Sequence, residues 1–106
     1  MLLLNIDHIP GKEYEVIGLV KGTVVQSKHV GKDFMASVKT IVGGELKGYT
    51  EMLNEARQMA TDRMVAEATA VGADAILNIR FTSSAVMQGA AEVVAYGTAV
   101  KYKSCR

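Results

Sequence analysis

The chain has no tryptophan, one cysteine and one proline in 106 residues, and its charges nearly cancel. Each scarcity excludes something. The lone Cys105 cannot build an internal disulfide framework, which points to a reducing compartment, the cytoplasm. Lys and Arg number 12 against 11 Asp and Glu, for a formal net charge of +1, and the aromatics are 4 Tyr and 2 Phe. Apart from Lys101 and Lys103, read as a solvated strand end, there is no basic cluster. The electrostatic footprint of a nucleic-acid binder is missing, so no nucleic-acid partner is expected. No stretch approaches the ~20 apolar residues of a membrane span, and no membrane partner is expected. The opening MLLLNIDHIP lacks a basic leader, a long apolar core and a small-residue cleavage site, so it does not read as a signal peptide. There is no Ser/His/Asp set, and the single cysteine has no histidine near it in sequence. Nucleophilic catalysis is unsupported, and the protein is expected not to be an enzyme.

Apolar residues make up 49% and charged residues 22%, the balance of a soluble globular protein, and the length suits one domain over residues 1–106. The dominant feature runs from Lys47 to Asp74. Tyr49, Met52, Leu53, Ala56, Met59, Ala60, Met64 and Val71 recur at helical steps, with Glu51, Glu55, Gln58 and Asp62 opposite. Gly72 is the expected stop, because a residue without Cβ takes the left-handed conformation that closes a helix. A helix of this length spans roughly 36 Å. Ala66, Ala68 and Ala70 give its second half a surface on which another backbone can come close. Arg63 and Glu67 project to the apolar side, which reads as the rim of the stripe.

Before this helix, LLLNI reads as a short extended piece, followed by a turn at Pro10-Gly11. Tyr14–Ser27 is a β-branched strand weakened at Gly18 and Gly22, with Gly22 the expected site of a bulge or bend. Residues from Gly31 to Val42 read as a shorter helix, broken by Gly43-Gly44. After the long helix, Ala75, Leu77, Ile79 and Phe81 alternate onto one face of a strand, with Ile76, Asn78, Arg80 and Thr82 on the other. A turn at Gln88-Gly89 leads to a last strand, Glu92–Tyr102, whose two faces are both largely apolar. The order is β-α-α-β-β: an α+β domain with a mostly antiparallel, three-stranded sheet packed on one long helix. One helix covers only one side of such a sheet, so the other side, or the alanine flank of the helix, needs a partner, and a homo-oligomer is expected.

Candidate chemistry is sparse. Asp7, His8, His29 and Cys105 are the natural ligands for a transition-metal ion, but their spacing matches no Cys-x-x-Cys or His-Glu-x-x-His arrangement. Any metal site would bring them together across subunits. Met35, Met52, Met59 and Met64 fit packing better than soft-metal ligation. Gly43 and Gly44, with Lys47, Tyr49 and Arg57, outline the alternative: a small-anion or organic-ligand site between subunits at a helix N-terminus. A phosphate loop normally follows a strand, however, and here a helix precedes it. Arg57 has no acidic residue on its side of the helix. If partly buried, it would need Asp33, Glu45 or Asp74 as a partner.

One ordered set of residues goes further. Gly18–Gly22, Asp33-Phe34, Ile41-Val42-Gly43-Gly44, Tyr49, Leu53, Ala56-Arg57, Ala60, Gly72-Ala73-Asp74-Ala75 and Gly97-Thr98-Ala99-Val100 together resemble the YbjQ-like family of small bacterial and archaeal proteins. The match runs from about Tyr14 to Lys101. The resemblance implies a β/α domain that assembles into a ring, usually a pentamer, with a heavy-metal-binding label and no established catalytic activity. The sequence departs from many relatives at Gly22-Thr23, where they have an acidic pair, so this segment lends nothing to a carboxylate site.

Overall fold

The computed structural model describes residues 1–27 and 47–103. Its elements are β1 (Leu2–Leu3), β2 (Tyr14–Ser27), α1 (Lys47–Ala70), β3 (Ala75–Met87) and β4 (Ala90–Tyr102). The expected helix from Gly31 to Val42 lies outside the described residues. The fold class is α+β, as expected, but the sheet differs. It is a mixed, four-stranded sheet in the order β1-β3-β4-β2, not a three-stranded antiparallel one. The added strand is the leucine run at the N-terminus, which pairs parallel to β3 with Leu2 opposite Ala75 and Leu3 opposite Ile76. Two residues are too few to carry an alternation signal, which is why LLLNI reads only as extended.

α1 ends where glycine permits. Gly72 has φ +79°; its N–H donates to the Thr69 carbonyl at 3.0 Å, and the Ala73 N–H donates to the Ala68 carbonyl at 3.0 Å. These paired bonds are a Schellman cap, and they satisfy carbonyls that the helix end leaves open. Pro10-Gly11 is a tight turn of the second type, with Gly11 at φ +75° and the Lys12 N–H reaching the Ile9 carbonyl at 3.4 Å. The hairpin of β3 and β4 turns at Gln88-Gly89, with Gly89 at φ +76°.

α1 buries a ladder of residues four apart: Met52, Ala56, Ala60, Met64 and Ala68. Met59 on its outer flank and Val71 just past its end stay exposed, so the buried stripe is narrower than the sequence pattern. The ladder packs against Val20 and Val24 of β2, Ile76 of β3, and Val93, Ala95 and Ala99 of β4. Gly22 lies under the helix backbone and is not a bulge. A Cβ there would stand 2.1 Å from the Ala60 carbonyl oxygen. The bulge in β2 falls instead between Val16 and Gly18.

β3 contains a second bulge that overturns the simple alternation. Asn78 takes φ +54°, and the pairing jumps from Leu77–Thr98 to Arg80–Tyr96, so two residues oppose Gly97 alone. Asparagine tolerates this conformation better than other residues with a Cβ. Ile79 consequently joins Ile76 against the helix-side core, while Ala75 and Leu77 face away from it. Beyond the bulge, Phe81 pairs with Ala95 and stays on the helix side, not with Ala75 and Leu77.

On the side away from the helix, a small cluster of Ile9, Ala75, Leu77 and Val100 is flanked by Leu4, Tyr14 and Tyr102. The N-terminal segment thus covers one end of that face. Asp74 ties this end together, its Oδ2 accepting the Tyr102 N–H at 2.7 Å. The remainder of the face is open: Val16, Leu19 and Val25 are 67%, 68% and 62% exposed. The molecule is a thin slab of 62 × 26 × 16 Å. Its radius of gyration is 17.5 Å, against about 13 Å for a compact domain of this size.

Candidate functional site

Asp7 and His8 sit in the exposed segment between β1 and β2. His8 Nδ1 lies 3.3 Å from the Tyr14 hydroxyl, and the two rings are tilted with centroids 6.1 Å apart. That contact leaves the other ring nitrogen for a ligand. Among the described residues there is no group of three or more His, Cys, Asp or Glu placed to hold a metal ion. His29 and Cys105 lie outside the described residues. The described residues therefore present two adjacent ligands from the expected set, Asp7 and His8, where a closed zinc site takes four.

The anion-site residues are only partly within the described structure. Gly43 and Gly44 lie outside the described residues, and Lys47 begins α1. Tyr49 is half-buried beside a shallow pocket of about 130 Å³, shared with Leu53, Ser83, Ser84, Ala85 and Ala91. Arg57 stands eight residues further along, about 12 Å up the helix axis. It is exposed and donates to Asn54 Oδ1 at 3.0 Å, and among the described residues no carboxylate pairs with it; Asp33 and Glu45 lie outside them. Asp74, one of its expected partners, is engaged with the Tyr102 backbone instead. Arg63 is exposed at the stripe's edge, as expected for a rim residue, and donates to the Thr23 carbonyl at 2.6 Å.

A larger feature was not legible in the sequence. An open groove of about 680 Å³ runs between α1 and β3, lined by Leu3, Leu4, Asn5, Thr61, Ile79, Arg80 and Phe81. It arises because α1 lies over β2 and β4 and hardly touches β3. The Asn78 bulge turns Ile79 into it, a switch that no alternation pattern announces. Among the described residues the groove's walls carry one cation, Arg80, and no acid, thiol or imidazole.

The family model described as "Putative heavy-metal-binding" matches residues 1–103. The chain belongs to this family, YbjQ. A UPF0145 protein of Clostridium novyi is 65% identical over 101 residues, covering 95% of this chain and 98% of its own. Another, from Alkaliphilus metalliredigens, is 62% identical over 102 residues, covering 96% and 99%. A crystal structure of a DUF74-family protein of unknown function from Pediococcus pentosaceus superposes with a TM-score of 0.65 at 15% identity, covering 97% of this chain and 98% of that one. At that identity the likeness speaks for a shared fold. The YbjQ family description names a class of ligand, while the described residues of one subunit hold no complete site for it.

Proposed function

We propose that this protein is a non-enzymatic homo-oligomer, a ring of identical subunits in the cytoplasm, that binds a transition-metal ion with ligands drawn from more than one subunit. The observation that carries the reading is the open sheet face: Val16, Leu19 and Val25 are each more than 60% exposed beside the half-buried Val94 and Tyr96. A monomer that leaves such residues in water gives up the stabilisation of burying them, about 1.5–3 kcal/mol per large apolar side chain. A second copy supplies the cover. Asp7-His8 supports the metal part, as an adjacent donor pair that ligands from neighbouring subunits would complete. A small-anion site near Gly43–Tyr49 has weaker support, because Tyr49 and Arg57 stand far apart on the helix.

Size-exclusion chromatography with light scattering, at micromolar protein, tests the assembly. A clean monomer ends that part. Elemental analysis of tag-free protein, followed by titration with Zn(II), Cu(II) and Ni(II), tests the metal. Stoichiometric binding supports the reading, and no binding to any of the three ends it.

A further inference from the structure

We infer that copies of this chain join head to tail by continuing the sheet, the outer edge of β2 in one copy pairing with the outer edge of β3 in the next. This rests on the self-assembly reading above and adds a second surface, the strand edges, to the open sheet face.

β1 and the residues after it occupy the outer edge of β3 only as far as Ile79, whose N–H donates to the Leu4 carbonyl at 3.0 Å. Among the described residues, nothing pairs with that edge from Arg80 to Met87. Peptide groups alternate sides along a strand, so the N–H groups of Phe81 and Ser83 point the same way as that of Ile79, into the open. β2 ends the sheet on the opposite side. Its outward groups are identified by Arg63, which reaches the Thr23 carbonyl from the helix. By the same alternation, Val25 presents its N–H and carbonyl to the open side. The β3 edge from Phe81 to Met87 carries no lysine, proline or charge of the kind that guards a free strand, while the β2 edge carries Lys21 and receives Arg63 at Thr23 and has no proline.

The off-centre helix selects which edges meet. α1 covers β2 and β4 and leaves the groove over β3 unfilled. A copy arriving by its own β2 brings its helix over that groove. A copy arriving by β3 would set one unfilled groove against another. β2 and β3 both run antiparallel to β4, so the new pair would be parallel in a sheet continued without inversion. Such a contact uses different surfaces on the two partners and closes into a ring if the rotation per copy allows.

The test combines amide exchange with two edge-blocking variants. In the assembled wild-type protein, the Phe81 and Ser83 amides should be protected about a hundredfold or more. Ser83→Pro and Val25→Pro each remove an outward N–H and no bond within the subunit. Each alone should give a folded monomer by circular dichroism and light scattering. Mixed, they should form a species of two subunits, because each keeps the edge that the other has lost. An oligomer whose Phe81 and Ser83 amides exchange freely overturns the edge pairing and leaves self-assembly standing. Val25→Pro that still assembles alone overturns the head-to-tail arrangement. A monomeric wild type overturns both readings. If a proline variant fails to fold, amide exchange on the wild type still decides the edge pairing.

Discussion

Gly22→Ala is the most informative single change in the described structure. On backbone grounds it should help. Gly22 is not among the glycines with positive φ, and replacing glycine by alanine at a permissive site stabilises by about 0.4–1 kcal/mol through the unfolded chain. Packing predicts the opposite sign. The new Cβ would stand 2.1 Å from the Ala60 carbonyl oxygen, 2.5 Å from the Met64 nitrogen and 2.8 Å from the Arg63 Cβ. Two of these are helix backbone, so no side-chain rotation relieves them. To bring the closest contact to an ordinary 3.4 Å, α1 must retreat by about 1.3 Å. A radial gap of about 1 Å already forfeits up to half of a dispersion contact, and the ladder of Ala56, Ala60, Met64 and Ala68 would lose contact together. The cost should be about 3 kcal/mol, the upper end for overpacking. Net of the backbone gain, about 2–2.5 kcal/mol remains, a fall in Tm of roughly 8–20 °C for a domain of this size. Thermal melts followed by circular dichroism measure it, at several protein concentrations because the proposed assembly would make Tm depend on concentration. Adding Ala60→Gly should restore nothing, since the clash is with the carbonyl and not the methyl. A Tm that is unchanged or raised in Gly22→Ala refutes the close helix–strand approach.

Three further changes test separate parts of the structure. Met64→Ala empties a fully buried position and should cost about 2–5 kcal/mol, read as a lower denaturation midpoint in guanidinium with little change in slope. Among the described residues Arg57→Ala removes only an exposed contact with Asn54, so its stability should stay within about 0.5 kcal/mol of wild type; a larger loss would indicate a buried partner. His8→Ala should abolish or reduce at least tenfold the binding of Zn(II) by tag-free protein, while its exposed position leaves the melting temperature nearly unchanged. Unchanged zinc affinity would exclude His8 as a ligand.

The sequence discloses features that depend on a residue and its immediate neighbours. Gly72, Pro10-Gly11 and Gln88-Gly89 end or turn their elements where expected, because left-handed or preset backbone angles are local demands. The helix register and the two faces of β4 are similarly legible, since both follow from a fixed period. What failed depends on atoms distant in the chain. Gly22 reads as a bend because a glycine within a strand has several uses, and only the arrival of α1 selects close approach. Asn78 looks like an ordinary outward residue until its φ of +54° shifts Ile79 across the sheet. β1 is invisible to any pattern two residues long, yet it decides how much of the β3 edge remains free. The candidate metal site has the same difficulty in stronger form. Asp7-His8 is a fragment among the described residues, and in the proposed assembly its completion depends on which surfaces of neighbouring copies meet. The proposed site and the proposed assembly are therefore one question: if copies meet, their arrangement determines whether this pair gains the further ligands a closed site needs.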